Sequence, residues 1–433
     1  MAVSQSEAGA VSSGKGLFGH PPGLTVLFLT QTWAEFSYFG LQAMLVLYMT
    51  QQLGLPQAQS SIIFGIYTGC AFFSPFIGGF LADRWLGRTT SVVIGGVLMM
   101  LGHFAMAFES LLFPALALVA IGNGLFLPPL AVQVGALYKE GDTRRDQAFS
   151  AYYMGINLGA FSAIILCPLL AQLYGWHWGF AAAGFGMAFG LMLYLGFKKH
   201  LPRELPRVSA QQKTRTPLSK ADWKALTTLL GIIAVVILFR IAYEQSGNTI
   251  TLWLSDRTER TLGGFEIPAP WFTSLNPLLI IALTPLLMIY WRKRKEAGQA
   301  PNLFRRMALG CALAGLACLV MVGAALAFSA GGGAAVSSLW VIAYFVLLTL
   351  GELLVLPVGL ALFGTLSPVQ VASMMMGAWY IAKFVGSLSA GFIGTLWLTI
   401  PTEFFFAIGA GSTFLAALIL FWMGRARVAA NAS

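Results

Sequence analysis

Charge is scarce in this chain of 433 residues: Asp, Glu, Lys and Arg make up 10% of it, against 58% hydrophobic residues. So few polar groups cannot clothe a water-facing surface around that much apolar mass, which excludes an ordinary soluble protein and places the chain in lipid. Cysteine is also sparse. Cys70, Cys167, Cys311 and Cys318 fall inside apolar stretches without metal-ligand spacing, so neither a disulfide nor a metal site is expected. The four histidines (His20, His103, His177, His200) are scattered, and no Gly-rich loop ending in Gly-Lys-Ser/Thr is present. Nothing therefore favours an enzyme, a nucleotide-driven pump or a bound cofactor. The first twenty residues lack the basic region, short apolar core and cleavage site of a signal peptide and read as a loose tail.

What is present is a succession of long apolar runs with short polar breaks. Spans are expected near 24-50, 59-83, 89-108, 111-137, 147-174, 178-197, 225-254, 271-291, 306-328, 338-363, 371-397 and 403-424. The formal charge of +10 could point to nucleic acid, but its distribution points elsewhere. Of the 26 Lys and Arg, 22 fall in alternate loops on the side of both termini, Arg257 and Arg260 fall on the other side, and Arg240 and Lys383 lie inside spans. The positive-inside rule places both termini in the cytoplasm, with a lipid bilayer as the basic surface's partner and no nucleic acid. Between Lys198 and Lys224 the chain is polar, basic and Pro-rich, which divides it six and six. The expected organisation is a tail (1-23), a six-helix bundle (24-197), a basic linker (198-224), a second six-helix bundle (225-424) and a short tail (425-433). Two such halves suggest rocking about a mid-membrane site.

Five ionisable residues fall well inside spans: Glu35, Arg240, Glu244, Glu352 and Lys383. Each costs about 2.5–3.5 kcal/mol at mid-helix, so they are expected to face one another, water or a ligand. Gln31, Glu35, Tyr38 and Gln42 recur at helical spacing as one polar stripe, as do Arg240, Glu244 and Asn248, and again Trp379, Lys383 and Ser387. Arg240 and Glu244, one turn apart, fit a static pair or a gating pair equally; Glu35 has no obvious partner on its own helix.

The segment Gly78 to Arg88 (GGFLADRWLGR) resembles the loop signature of the major facilitator superfamily, with Asp83, Arg84 and Arg88 as its charges. Further segments resemble the proton-dependent oligopeptide transporter family within it. They are Phe36-Ser-Tyr-Phe-Gly40, Phe149-Ser-Ala-Tyr-Tyr-Met-Gly-Ile-Asn157, Tyr174-Gly-Trp-His-Trp-Gly-Phe180, Tyr243-Glu-Gln-Ser-Gly247, Trp271-Phe-Thr-Ser-Leu-Asn276, Gly351-Glu352 and Met375-Met-Gly-Ala-Trp379. The resemblance implies an all-α membrane protein of that superfamily's fold, twelve transmembrane helices in two six-helix bundles. It also implies proton-gradient-driven symport of small peptides or peptide-like molecules in the bacterial inner membrane, by a monomer and without a cofactor. Glu35, Tyr38, Tyr67, Asn157, Arg240, Asn276, Glu352, Trp379 and Lys383 become candidate substrate contacts, and Glu35, Arg240 and Glu244 candidate coupling residues, with protonation of Glu244 or Glu35 expected to release an ion pair between the halves. Glu352 would meet the substrate's amino end.

The departures are specific. Where the family has Glu-x-x-Glu-Arg-Phe, this chain has Gln31-Thr-Trp-Ala34-Glu35-Phe36; a following Arg aligns with Gln42, and a Lys-Pro pair becomes Leu127-Pro128. The linker is too short and polar for the two extra helices of many bacterial members. The alternative reading keeps the fold and changes the cargo to a cationic or uncharged metabolite, moved inward or exported against protons.

Overall fold

A computed structural model describes residues 16, 19–138, 142, 144–202, 219–299, 302–368 and 372–432. Most of the tail 1-23 and of the linker 198-224 lies outside these residues. The described chain is almost wholly helical: α1 (Pro22–Leu47), α2 (Gln57–Leu81), α3 (Arg88–Ala105), α4 (Leu112–Ala136), α5 (Arg144–Tyr174), α6 (Trp176–Gly196), α7 (Lys220–Tyr243), α8 (Thr249–Arg257), α9 (Leu275–Glu296), α10 (Leu303–Ala330), α11 (Leu339–Leu366), α12 (Ala372–Gly394) and α13 (Thr402–Ala432). Only two-residue strands accompany them: β1 (Thr258–Glu259) beside β4 (Val336–Ser337), and β2 (Thr261–Leu262) beside β3 (Phe265–Glu266). Helices dominate because a chain in hydrocarbon must satisfy every backbone N–H and C=O within the segment.

Among the described residues, eleven helical stretches are long and apolar enough to cross a bilayer. The 26-residue α1 is kept out of that count by the polar residues Thr30, Gln31, Thr32, Glu35 and Ser37, and with it the spans number twelve. Of these, Thr30, Gln31, Glu35 and Ser37 are buried in protein, with Thr30, Gln31 and Ser37 almost completely covered. α7 and α8 form a single crossing interrupted by the tight turn Glu244–Gly247, where Gly247 and the irregular backbone of Asn248 break the helical run. The start of α7 is fixed by a capping box, the Ser219 hydroxyl accepting from the Asp222 amide while Asp222 accepts from the Ser219 amide. α5 begins at an exposed Asp142–Arg144 pair whose hydrogen bonds, side chain first and backbone amide second, draw the Asp142 carboxyl down to about 2.

Two compact units emerge from the packing: Met1–Leu41 with Ser74–Gln212, and Gln42–Phe73 with Lys213–Ser433. In the first, α3 packs on α4 so closely that a Cβ on Gly95 would stand 2.6 Å from the Gly122 carbonyl oxygen, and one on Gly122 2.6 Å from that of Gly95. α5 approaches α1 in the same manner, with Gly159 on the Thr32 carbonyl. In the second unit, α10 and α11 meet at Gly310 and Gly351, each within 2.7 Å of the other's carbonyl oxygen by the same measure. The early part of α2 lies on α12, where a Cβ on Gly65 would reach 2.6 Å from the Gly391 Cα. Lipid offers no hydrophobic drive for helix association, so such small-residue contacts supply van der Waals packing instead.

Replacing Gly122 with Leu is expected to cost about 1–3 kcal/mol, since neither backbone can yield without separating α3 from α4. The unfolding midpoint of the purified protein in detergent should fall accordingly; an unchanged midpoint would mean that this contact is not close-packed.

Candidate functional site

The second unit gathers most of the charges that hydrocarbon would reject. Arg240, on the last turn of α7, and Glu244, which opens the turn Glu244–Gly247 directly after it, are both buried and form an ion pair at i, i+4. The Arg240 guanidinium also lies 3.5 Å from the Ser387 hydroxyl on α12, 4.6 Å from the centre of the Phe72 ring on α2 and 5.1 Å from that of Tyr243. Gly386 makes this possible, because a side chain there would collide with the Arg240 stem. Lys383, one turn earlier on α12, places its ammonium 5.0 Å from the same Phe72 ring and 6.0 Å from Tyr380. One aromatic ring thus receives two cations, each attracted by its negative π surface.

Glu352 on α11 is buried and held by neutral donors. Asn276 of α9 donates from Nδ2 at 2.7 Å and also reaches Thr349 at 3.1 Å; Tyr243 adds a side-chain hydrogen bond. Arg240 and Lys383 lie within electrostatic reach of this carboxyl. Asn276 is delivered at the N-terminus of α9 by the turn Ala269–Ser274, and Glu352 sits mid-way along α11. The result is a carboxylate with neutral neighbours in direct contact and cations further out, an arrangement suited to receiving an added ammonium group.

Of the other predicted residues in this unit, Trp379 is buried on Gly359, edge-on to Phe363 at 5.3 Å, so its ring fills the space between α11 and α12. Tyr67 is buried on α2. Nearby, Ser61 donates to Asn248 at 3.0 Å, and Gln57 reaches the Gly394 carbonyl at 2.9 Å, tying the start of α2 to α7–α8 and α12.

In the first unit Glu35 is buried and accepts from Gln31 Nε2 at 2.6 Å; Gln31 in turn accepts from the Tyr152 hydroxyl of α5 at 2.7 Å. This corrects the expectation that Glu35 has no partner on its own helix: Gln31, one turn back, fills the role because an amide can donate to the carboxylate and accept from the phenol at once. Tyr38 is buried, edge-on to Phe39 at 5.3 Å. Asn157 is buried and bonds the Tyr153 carbonyl of its own helix at 3.0 Å. Asp83 and Arg84 are exposed at the end of α2, with Arg84 5.8 Å from the Phe80 ring, and Arg88 opens α3; Asp83 enters no ion pair among the described residues.

Arg240 and Glu244, one turn apart and equally a static or a gating pair by sequence, do pair with one another, as i, i+4 spacing on a helix allows. Reading the sequence missed Tyr152, Tyr243 and Phe72. The first two were visible as neighbours of Asn157 and Glu244, whereas nothing in Ala71-Phe72-Phe73 marks a ring that faces cations.

The POT family model matches residues 89–215 and 202–410. The chain belongs to the POT family. The peptide transporter YePEPT of Yersinia enterocolitica is 34% identical over 88% of this chain and 89% of its own length; a di-/tripeptide transporter of Lactococcus lactis is 31% identical over 91% and 93%. Among solved structures, the peptide transporter POT in complex with sulfate superposes with a TM-score of 0.90 at 28% identity, covering 98% of each chain. A POT family transporter in complex with 5-aminolevulinic acid gives 0.87 at 25% identity, covering 95% of this chain and 98% of that one. The fold is therefore that of the major facilitator superfamily, and this POT family member is a multi-pass membrane transporter rather than an enzyme.

If Arg240 and Glu244 are a compensated pair, Arg240→Leu alone should destabilise the protein by about 3–5 kcal/mol by stranding the carboxylate, while Arg240→Leu with Glu244→Leu should recover most of that loss. Chemical unfolding of the two variants measures the difference; equal losses would show that the charges are not coupled.

Proposed function

We propose that this protein is a proton-coupled symporter of di- and tripeptides or peptide-like small molecules, working by alternating access. The observation that carries the reading is the Glu352 carboxyl, held by Asn276 and Tyr243 with Arg240 and Lys383 further out. A substrate ammonium placed on Glu352 adds the opposite charge that the direct contacts omit. The substrate's carboxylate then turns to Arg240 or Lys383, the two cations near that carboxyl. Tyr67 lines the same unit, and Tyr38 and Asn157 are assigned to the substrate from the other; Trp379 acts by shaping the wall between α11 and α12 rather than through its indole N–H.

Relatives named as peptide and di-/tripeptide transporters support this cargo, as do neighbours solved with alafosfalin and with 5-aminolevulinic acid. Glu35 and Glu244 are the coupling acids. Each meets a group on its own stretch of chain, Gln31 or Arg240, that in turn touches another helix, Tyr152 of α5 or Ser387 of α12, so adding or removing a proton is felt across helices. The proton gradient is the driving force and no cofactor is required. Asp83, Arg84 and Arg88 are assigned to the cytoplasmic boundary, both termini to the cytoplasm, and the protein to the inner membrane as a monomer.

A second reading keeps the transporter and changes the cargo. Gln42 and Leu127 stand where cations are expected, and Glu35 is a buried acid, so a cationic or uncharged metabolite, moved inward or exported against protons, also fits.

Uptake of a labelled dipeptide into proteoliposomes under an inward proton gradient tests the proposal. Glu352→Gln should raise the KM for a free dipeptide about 10–100-fold, the worth of a hydrogen bond to a charged group. Glu35→Gln or Glu244→Gln should abolish gradient-driven accumulation while leaving counterflow. Accumulation unaffected in both coupling variants would overturn the assignment, and a preference for dipeptide amides over free acids would favour the second reading.

A further inference from the structure

Like charges repel, yet two cations in the second unit share one neighbour. The Arg240 guanidinium of α7 and the Lys383 ammonium of α12 come from different helices and converge on the ring of Phe72 in α2, 4.6 and 5.0 Å from its centre. Each also meets a ring of its own helix, Tyr243 at 5.1 Å for Arg240 and Tyr380 at 6.0 Å for Lys383. Phe72 is the side chain that the two have in common.

The choice of a phenyl ring for that place has a chemical consequence. Its π surface attracts a cation through the ring quadrupole but carries no net charge, so it holds the cation in position without neutralising it. A carboxylate at position 72 would do the reverse, drawing in both cations and cancelling their charge against any further anion. The ring is also fixed before the cations meet it. α2 docks on α12 over the two turns ahead of Phe72: a Cβ on Gly65 would stand 2.6 Å from the Gly391 Cα, and one on Gly69 3.1 Å from the Phe384 ring. Phe73 then packs against that same Phe384 ring at 5.5 Å between centres. Arg240 is confined further by the Ser387 hydroxyl at 3.5 Å and by the absent side chain of Gly386.

Both cations lie within electrostatic reach of the Glu352 carboxyl. With a substrate ammonium on Glu352, its carboxylate has these two charges to turn to. We propose that Phe72 is a positioning residue for substrate selection: its ring fixes the Arg240 and Lys383 charges where the carboxylate of a free dipeptide meets them. It thereby sets the preference for a free carboxyl end over a blocked one. The inference rests on the peptide reading and adds to it a residue that acts through the two cations.

The test is uptake of labelled alanylalanine into proteoliposomes by the full chain, competed with the unlabelled dipeptide or with its C-terminal amide. Position 72 carries Phe, Phe72→Leu, or phenylalanine with one, two or three ring fluorines. Fluorine withdraws negative charge from the face of the ring and leaves its size almost unchanged, a difference to which a packing role is blind. The wild type should favour the free dipeptide over the amide at least about tenfold. Successive fluorines should raise the KM for the free dipeptide stepwise, to about tenfold in all, with Vmax unchanged and competition by the amide altered less than about twofold; Phe72→Leu should lose most of the preference. If Phe72→Leu does not fold, the fluorinated series decides. A KM that ignores fluorination, or free acid and amide weakened alike, would overturn the inference and leave the peptide reading standing, as would a wild type that transports the dipeptide without preferring its free acid. A wild type that neither binds nor takes up the dipeptide would overturn both.

Discussion

A charge inside hydrocarbon has to be answered by another group, and the rest of this structure is arranged around that requirement. Five ionisable side chains within spans would cost more than the stability margin of a typical domain if left facing lipid. The second unit resolves this for four of them by convergence: Glu244 on Arg240, Glu352 on Asn276 and Tyr243, and both cations over the ring of Phe72. The first unit resolves it for Glu35 by dilution, through the relay from Tyr152 to Gln31 to the carboxyl. Glycines permit both solutions, since Gly386 admits the Arg240 stem and Gly159 brings α5, with Tyr152, against α1.

The two solutions differ in consequence. A pair one turn apart such as Arg240 and Glu244 is neutral in total. Glu352 has hydrogen bonds from neutral groups, so a mobile positive partner would add the charge that these direct contacts omit. A peptide's amino terminus is such a partner.

The spans were legible in the sequence because a lipid-exposed helix needs about twenty apolar residues, a signal too long to arise by accident. The Arg240–Glu244 pair was legible because helical spacing alone places those side chains together. Asn276 and Glu352, 76 positions apart, could be associated only through family resemblance. The partner of Glu35 was misjudged because a glutamine in a polar stripe looks like another cavity-facing group, although its amide can donate to an acid one turn away. Phe72 was missed for a different reason. A phenylalanine in an apolar run carries no mark of its own, and only the placement of α7 and α12 around it gives its ring an electrostatic role.

The most direct measurement of this account is the affinity of the wild-type protein for a dipeptide and for the same dipeptide acetylated at its amino terminus, by calorimetric titration in detergent. With Glu352 as the receiver of the substrate's charge, the free dipeptide should bind at least about tenfold more tightly, the difference expected when a charged hydrogen bond is lost. Equal affinities would contradict it, for then the carboxyl held by Asn276 and Tyr243 would have no part in recognising the substrate.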